Sequence, residues 1–188
     1  YPENVSKDLI VLHFTAGRSA RSAVNTWRAT PEHVATAYVV EPDRTVYEAF
    51  PPSAWAYHLG VKGGTPHERR SIGIEIANVG PLQPSAADPK VLSWWPNAWK
   101  EAYCHLDEAA RYVKEDYRGK GYFAVFPGEQ MDAVARLVQS LCERFGTPPQ
   151  PPKTALRLAF DAQAFQGYQG VATHANFRSD KWDVGPAF

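Results

Sequence analysis

The sequence predicts an α/β domain, a central mixed sheet flanked by helices, and three stretches carry that prediction. DLIVLHF is a short continuous apolar run, as in a strand buried on both faces. SIGIEIAN alternates, with Ile72, Ile74 and Ile76 on one face and Gly73, Glu75 and Ala77 on the other. EQMDAVARLVQSLCERFG places Met131, Val134, Leu137, Val138, Leu141 and Phe145 at helical spacing.

The remaining elements follow in chain order. After the first strand, SARSAVNTWRAT begins with a serine able to cap and continues near helical spacing, which predicts a helix. AYVVEP and TVYEAF flank Pro42, Asp43 and Arg44, which predicts a hairpin. PLQPSAADPKVLSWWPNAW, rich in proline and tryptophan, reads as a long loop. Residues of about 98 to 115 and 129 to 145 read as helices, PPQPPK as a stiff connection, and QGVATH as a last short strand. Internal repeats are absent from the sequence.

Composition narrows the function classes. The 188 residues are 44% hydrophobic, enough for one domain with a full core. Twenty basic and twenty acidic residues cancel, so the footprint of a nucleic-acid binder is missing. No apolar run reaches the roughly 18 residues of a membrane span, and the start does not resemble a signal peptide. The chain starts at Tyr1 rather than methionine, so it is read as lacking its own original start. Cys104 and Cys142 both fall in apolar patterns read as helical, where a buried free thiol is the expected state.

Chemistry collects at the strand ends. His13 stands near the C-terminal end of the first strand, where open sheets hand residues to a crevice. His174 ends the last strand, and Lys181 and Asp183 follow seven and nine residues later, two apart as in an extended segment. If the two strands are neighbours, two imidazoles and a carboxylate converge, which is the three-ligand set of a catalytic zinc with an open fourth position. Such a zinc lowers the pKa of water to about 7 and polarises a carbonyl. Glu75 is then placed to take a proton, and Lys181 to face a developing oxyanion. Each residue alone has a plainer reading: a hydrogen-bonded core histidine, a solvent-facing strand carboxylate, an exposed charged tail. The coincidence of the whole set points to chemistry.

VLHFTAG, AWAYHLG, SIGIEIANVG and ATHANFRSDKWDVGPAF, in that order, resemble the successive motifs of the type 2 zinc N-acetylmuramoyl-L-alanine amidases, which share their fold with peptidoglycan recognition proteins. The resemblance runs from about Leu9 to Phe188, with residues of about 81 to 125 and 150 to 168 unmatched and read as insertions in one amidase domain. It implies one zinc ion per chain held by His13, His174 and Asp183, with Glu75 as the carboxylate that moves the proton and Lys181 as oxyanion stabiliser. The implied reaction is hydrolysis of the amide between N-acetylmuramic acid and L-alanine of the stem peptide. The implied partner is peptidoglycan or its muropeptides, met in the cell envelope or by a phage endolysin.

Departures from the family pattern set further expectations. Phage-type members carry a tyrosine just before the hairpin strand, where this chain has Thr36, with Tyr38 two residues on; both are candidate substrate contacts. The usual aspartate, proline, glycine of the tail is here Asp183, Val184, Gly185. His58 falls in a segment that lines the cleft in the family, and a core histidine is an equal reading. Trp94, Trp95 and Trp99 form either a minor core or a groove wall that stacks on sugar rings. A non-catalytic binding module of the same fold is the alternative function, and it would be expected to lack one of the three ligands.

Overall fold

The computed structural model describes residues 1–61, 65–95 and 99–188. The main sheet has the order β10, β1, β4, β2, β3. Its strands are β1 (Leu9–Phe14), β2 (Tyr38–Val40), β3 (Val46–Glu48), β4 (Ser71–Ile76) and β10 (Gly170–Thr173). β10, β1, β4 and β2 run parallel, and β3 pairs antiparallel with β2 as the predicted hairpin. β1 is therefore an interior strand, flanked by β10 and β4, and is fully buried, as its unbroken apolar run requires.

The two faces of the sheet have different covers. Ile10, Leu12, Phe14, Ile72, Ile74 and Ile76 pack with Val134, Leu141 and Cys142 of the long helix α3 (Gly128–Phe145). That helix matches its predicted span and stops at Gly146, whose φ of 69° is the left-handed conformation glycine adopts most freely. Leu9 and Val11 point the opposite way, joined by Leu59, Phe165, Ala172 and Phe177. Phe165 and Phe177 lie on two short helices, α4 (Ala162–Phe165) and α5 (His174–Phe177). Helices α1 (Ala20–Arg28) and α2 (Thr65–Arg70) complete the flank. α1 is capped as expected by Ser19, whose side chain accepts from the Ser22 amide.

The stretch after β4 corrects two expectations. The supposed loop of 81–99 holds β5 (Pro81–Pro84) and β6 (Val91–Trp94), with residues 96–98 outside the described part. The supposed helix from about 98 to 115 is instead β7 (Glu101–His105), a single 3₁₀ turn (Ala109–Arg111) and the start of β8 (Tyr112–Tyr117). With β9 (Lys120–Ala124) these strands make a second, antiparallel sheet ordered β7, β6, β5, β9, β8. Pro81 and Pro84 stand at the two ends of β5, where a missing N–H costs the ladder least. Cys104 is buried on β7 rather than on a helix, packed with Leu82, Leu92 and Trp94, and both cysteines are free. The protein is thus one mixed α/β domain with two five-stranded sheets.

One buried charge ties the frame together. The Lys7 amine, 1% exposed, donates to the carbonyls of Ala54 (2.8 Å), Arg69 (2.7 Å) and Ser71 (3.0 Å). Burial lowers its pKa from the usual 10.5 to about 8, with the nearby Arg69 acting in the same direction. Between those two values the unfolded chain holds more protons on this lysine than the folded one, so the group makes folding more favourable as pH rises through that window. Wild type is expected to gain stability over Lys7→Met from about pH 8 to about 10.5, with a slope of at most about 1.4 kcal/mol per pH unit. Denaturant titrations across that range check this, and parallel pH dependences for the two proteins would contradict it.

Candidate metal centre and cleft

Register places the first pair of site residues. β1 and β4 pair with His13 opposite Glu75, and β1 and β10 pair with Leu12 opposite Thr173, so His174 emerges beside His13 at the same end of the sheet. His13 shares its face with Leu9 and Val11, and Glu75 shares its face with Gly73, on the side away from α3. His174 opens α5, capped by Thr173 through a reciprocal bond with Asn176. The tail beyond α5 then turns back over this rim, where the Ala175 amide donates to the Asp183 carbonyl at 2.9 Å.

His13, His174 and Asp183 meet in a tight, buried triangle. His13 Nδ1 lies 3.0 Å from His174 Nδ1 and 3.2 Å from Asp183 Oδ2, and His174 Nδ1 lies 3.0 Å from that same oxygen. Proton positions follow from the far sides of the rings. His174 Nε2 faces the Leu59 carbonyl at 2.8 Å, which only accepts, so that nitrogen carries the proton and Nδ1 of the neutral ring presents a lone pair. His13 Nε2 faces His58 Nδ1 at 2.9 Å, and His58 Nε2 faces Ser71 Oγ at 2.7 Å. Ser71 Oγ donates to the Glu68 carbonyl at 3.3 Å. One consistent chain of donors therefore runs from His13 outward and leaves His13 Nδ1 without a proton.

Three acceptor atoms thus converge on one point, where they could hold a cation. Tetrahedral zinc with ligands at about 2.0–2.1 Å would separate them by roughly 3.3 Å, close to the spacings above. The donor set of two imidazoles and a carboxylate fits zinc better than magnesium or calcium, which prefer all-oxygen shells. Burial favours the neutral form of the His13 and His58 rings. Burial pulls His13 down to about 4 against the pull of Asp183, and it pulls His58 well below its ordinary value. Burial alone would raise Asp183, but His174 and His13 hold it well below the usual carboxylate range.

Glu75 differs from Asp183 in having no such partners. Its Oε2 is buried without a hydrogen-bond partner among the described residues. Burial, aided by the negative charge of Asp183 and opposed by Lys181, raises its pKa to about 8. It borders a cleft of about 460 Å³ together with His13, His174, Lys181 and Asp183.

Trp95, Trp99 and Trp182 also line this cleft. Trp95 is half exposed, yet its indole N–H is fixed on the Ala16 carbonyl at 2.7 Å. Trp94 is elsewhere, buried in the core of the second sheet. Thr36 and Tyr38 are not brought to the cleft. The Thr36 hydroxyl is buried and donates to the Tyr38 carbonyl, and the Tyr38 hydroxyl donates to Glu48. His58 edges the cleft, but its side chain is 4% exposed and both ring nitrogens are engaged behind His13.

Local sequence explains how His58 fits there. A Cβ on Gly73 would lie 2.8 Å from Thr36 Cγ2 and 3.1 Å from His58 Cγ, so a bare position on β4 makes room for the ring. The loop holding His58 is anchored by Glu68, whose carboxylate accepts the amides of His58 (2.9 Å), Leu59 (3.0 Å) and Gly60 (3.0 Å). Glu68 lies outside the recognised motifs, and Ser71, although it opens SIGIEIANVG, has no chemical role in that pattern, so neither was singled out from the sequence. The glutamate ten residues beyond His58, just before a strand, was the available signal.

Fold and site together define an α/β domain with a buried two-histidine, one-carboxylate centre at the rim of a mostly parallel sheet. The N-acetylmuramoyl-L-alanine amidase family model, Amidase_2, matches residues 3–186, and the chain belongs to that family. Among solved structures it is similar to the N-acetylmuramyl-L-alanine amidase AmiD from E. coli, in complex with anhydro-N-acetylmuramic acid-L-Ala-D-γ-Glu-L-Lys: TM-score 0.60, 23% identity, covering 97% of this chain and 54% of that one. AmpDh3 from Pseudomonas aeruginosa, in complex with an anhydromuramic pentapeptide, matches with a TM-score of 0.57 at 18% identity, covering 100% and 58%. The hydrolase AmiA from Staphylococcus aureus matches with a TM-score of 0.51 at 15% identity, covering 93% and 60%. The chain therefore spans little more than half the length of these structures. No curated protein sequence matches the chain.

Proposed function

We propose that the chain is a zinc-dependent amidase that cleaves the bond between the lactyl group of N-acetylmuramic acid and L-alanine of the peptidoglycan stem peptide. The observation that carries this reading is the convergence of His13 Nδ1, His174 Nδ1 and Asp183 Oδ2 beside Glu75, whose buried Oε2 has no hydrogen-bond partner among the described residues. Family membership and the muropeptides bound by AmiD and AmpDh3 support the substrate class.

His13, His174 and Asp183 would hold the ion, one per chain. Zinc supplies an acidified water and a polarised carbonyl when bound. Glu75 takes the proton of the attacking water and returns it to the departing L-alanine nitrogen. Burial that raises its pKa above the usual carboxylate range suits a group that must do both. The water oxygen joins the lactyl carbonyl carbon, the carbon to nitrogen bond breaks, and a free carboxylate and a free amine leave. Lys181 faces the negative charge that develops on the carbonyl oxygen. His58 holds the His13 ring in its tautomer, the task that hydrogen-bond partners of metal-ligating histidines commonly perform. Trp95 and Trp99 form the wall on which a sugar ring or the stem peptide lies. Its place of action would be the cell envelope or, as a phage endolysin, the host wall; no described helix is long and apolar enough to cross a membrane.

Mass spectrometry of products from purified peptidoglycan tests the proposal, using metal-loaded and chelated protein. Free stem peptides beginning at L-alanine, released only with metal, are the expected outcome. No release in either sample, with the protein sedimenting with the sacculi, would replace the enzyme by a binding module.

A further inference from the structure

We propose that Arg118, in the turn between β8 and β9, is a positioning residue that orders the tail carrying Lys181 and Asp183. Its guanidinium collects four main-chain carbonyls from that end of the chain. Nη1 donates to the carbonyls of Arg178 (2.8 Å) and Lys181, and Nη2 to those of Ala175 (2.9 Å) and Leu158 (3.3 Å). The contact is returned, since the Trp182 indole N–H donates to the Arg118 carbonyl at 3.1 Å. These anchor points bracket the site: Ala175 directly follows His174, and Lys181 and Trp182 directly precede Asp183.

The chemistry of the pairing is specific. The tail beyond α5 runs without regular structure over the rim, so its carbonyls have no ladder to bond to. A planar fork of five N–H donors satisfies several of them at once, which a compact ammonium cannot. Charge-assisted bonds to the guanidinium are also stronger than neutral ones. The turn itself argues that the side chain is wanted. Tyr117 pairs with Lys120 across a two-residue loop in which Arg118 and Gly119 have φ of 49° and 76°. Such a turn favours asparagine or glycine at its first position, and the sequence places an arginine there instead.

A consequence is that the second sheet does more than wall the cleft. Its hairpin tip fixes the segment on which the third acceptor of the metal centre rides. This inference rests on Asp183 as a metal ligand, so its test separates the two. Arg118→Gly suits the left-handed turn and removes the side chain, guanidinium included, without straining the backbone. In the metal-free protein, amide hydrogen exchange of Trp182 to Gly185 is expected to accelerate at least about tenfold while β1 and β4 stay protected. In chelator competition, zinc affinity is expected to fall about 10–100-fold, as for loss of other groups that orient a ligand. Millimolar guanidinium is expected to restore part of both. Unchanged tail exchange, or unchanged zinc affinity in a wild type that binds zinc, would overturn the inference. Accelerated exchange in a protein whose wild type takes up no zinc would overturn the proposed function and leave the role of Arg118 in the tail standing.

Discussion

Glu75→Gln is expected to keep one zinc per chain and to lose about 10²- to 10⁴-fold in kcat on muropeptide, the usual worth of a positioned proton-transfer group. The amide fills the same volume in the same buried spot but cannot take a proton from water. The KM is expected to change little, because Glu75 Oε2 has no hydrogen-bond partner among the described residues and its work lies in the transition state. Steady-state kinetics with parallel metal analysis decides the matter. Full turnover in a zinc-loaded variant would remove Glu75 from the mechanism.

Asp183→Ala should divide the two properties the other way. Asp183 brings the only carboxylate into a triangle whose other corners are imidazoles, and its removal leaves two donors where zinc asks for three. Zinc affinity is expected to drop by more than the roughly 10–100-fold that losing an outer partner costs, with activity recovered only in part at high zinc. Competition against a chromophoric chelator measures it directly. An Asp183→Ala protein that holds zinc as wild type does would show that the tail does not ligate.

The elements that proved legible in the sequence were those with strong periodicity. β1 and α3 carry patterns that burial on two faces or on one stripe makes unavoidable, and they frame the rim where the site sits. The convergence of His13, His174 and Asp183 was readable because they lie at strand ends or just beyond, where alternation and topology fix direction. The second sheet was not readable for the opposite reason. On β7 only Cys104 is buried, so no alternation marks it, and Ala109, Ala110 and Val113 imitate a helical stripe. Its strands hold because each finds partners across the ladder, information that no local window contains. The pairing of His58 with His13 and the reach of Arg118 were hidden likewise: His58, a candidate from its motif, is set behind His13 through Ser71 and Glu68, and Arg118 bonds carbonyls far along the chain.

The pairing of His13 with Glu75 across two parallel strands has a further meaning for how this site tolerates change. In a pleated strand, direction is a matter of odd and even. One residue gained or lost ahead of His13 within β1 would turn its imidazole toward the isoleucines under α3 and bring Phe14 to the cleft side, inverting the site at a single stroke. Lengthening the hairpin loop between β2 and β3 leaves that parity untouched. The chain is therefore free to vary in how far its connections wander, and bound, to the unit, in how many residues it counts along β1 and β4.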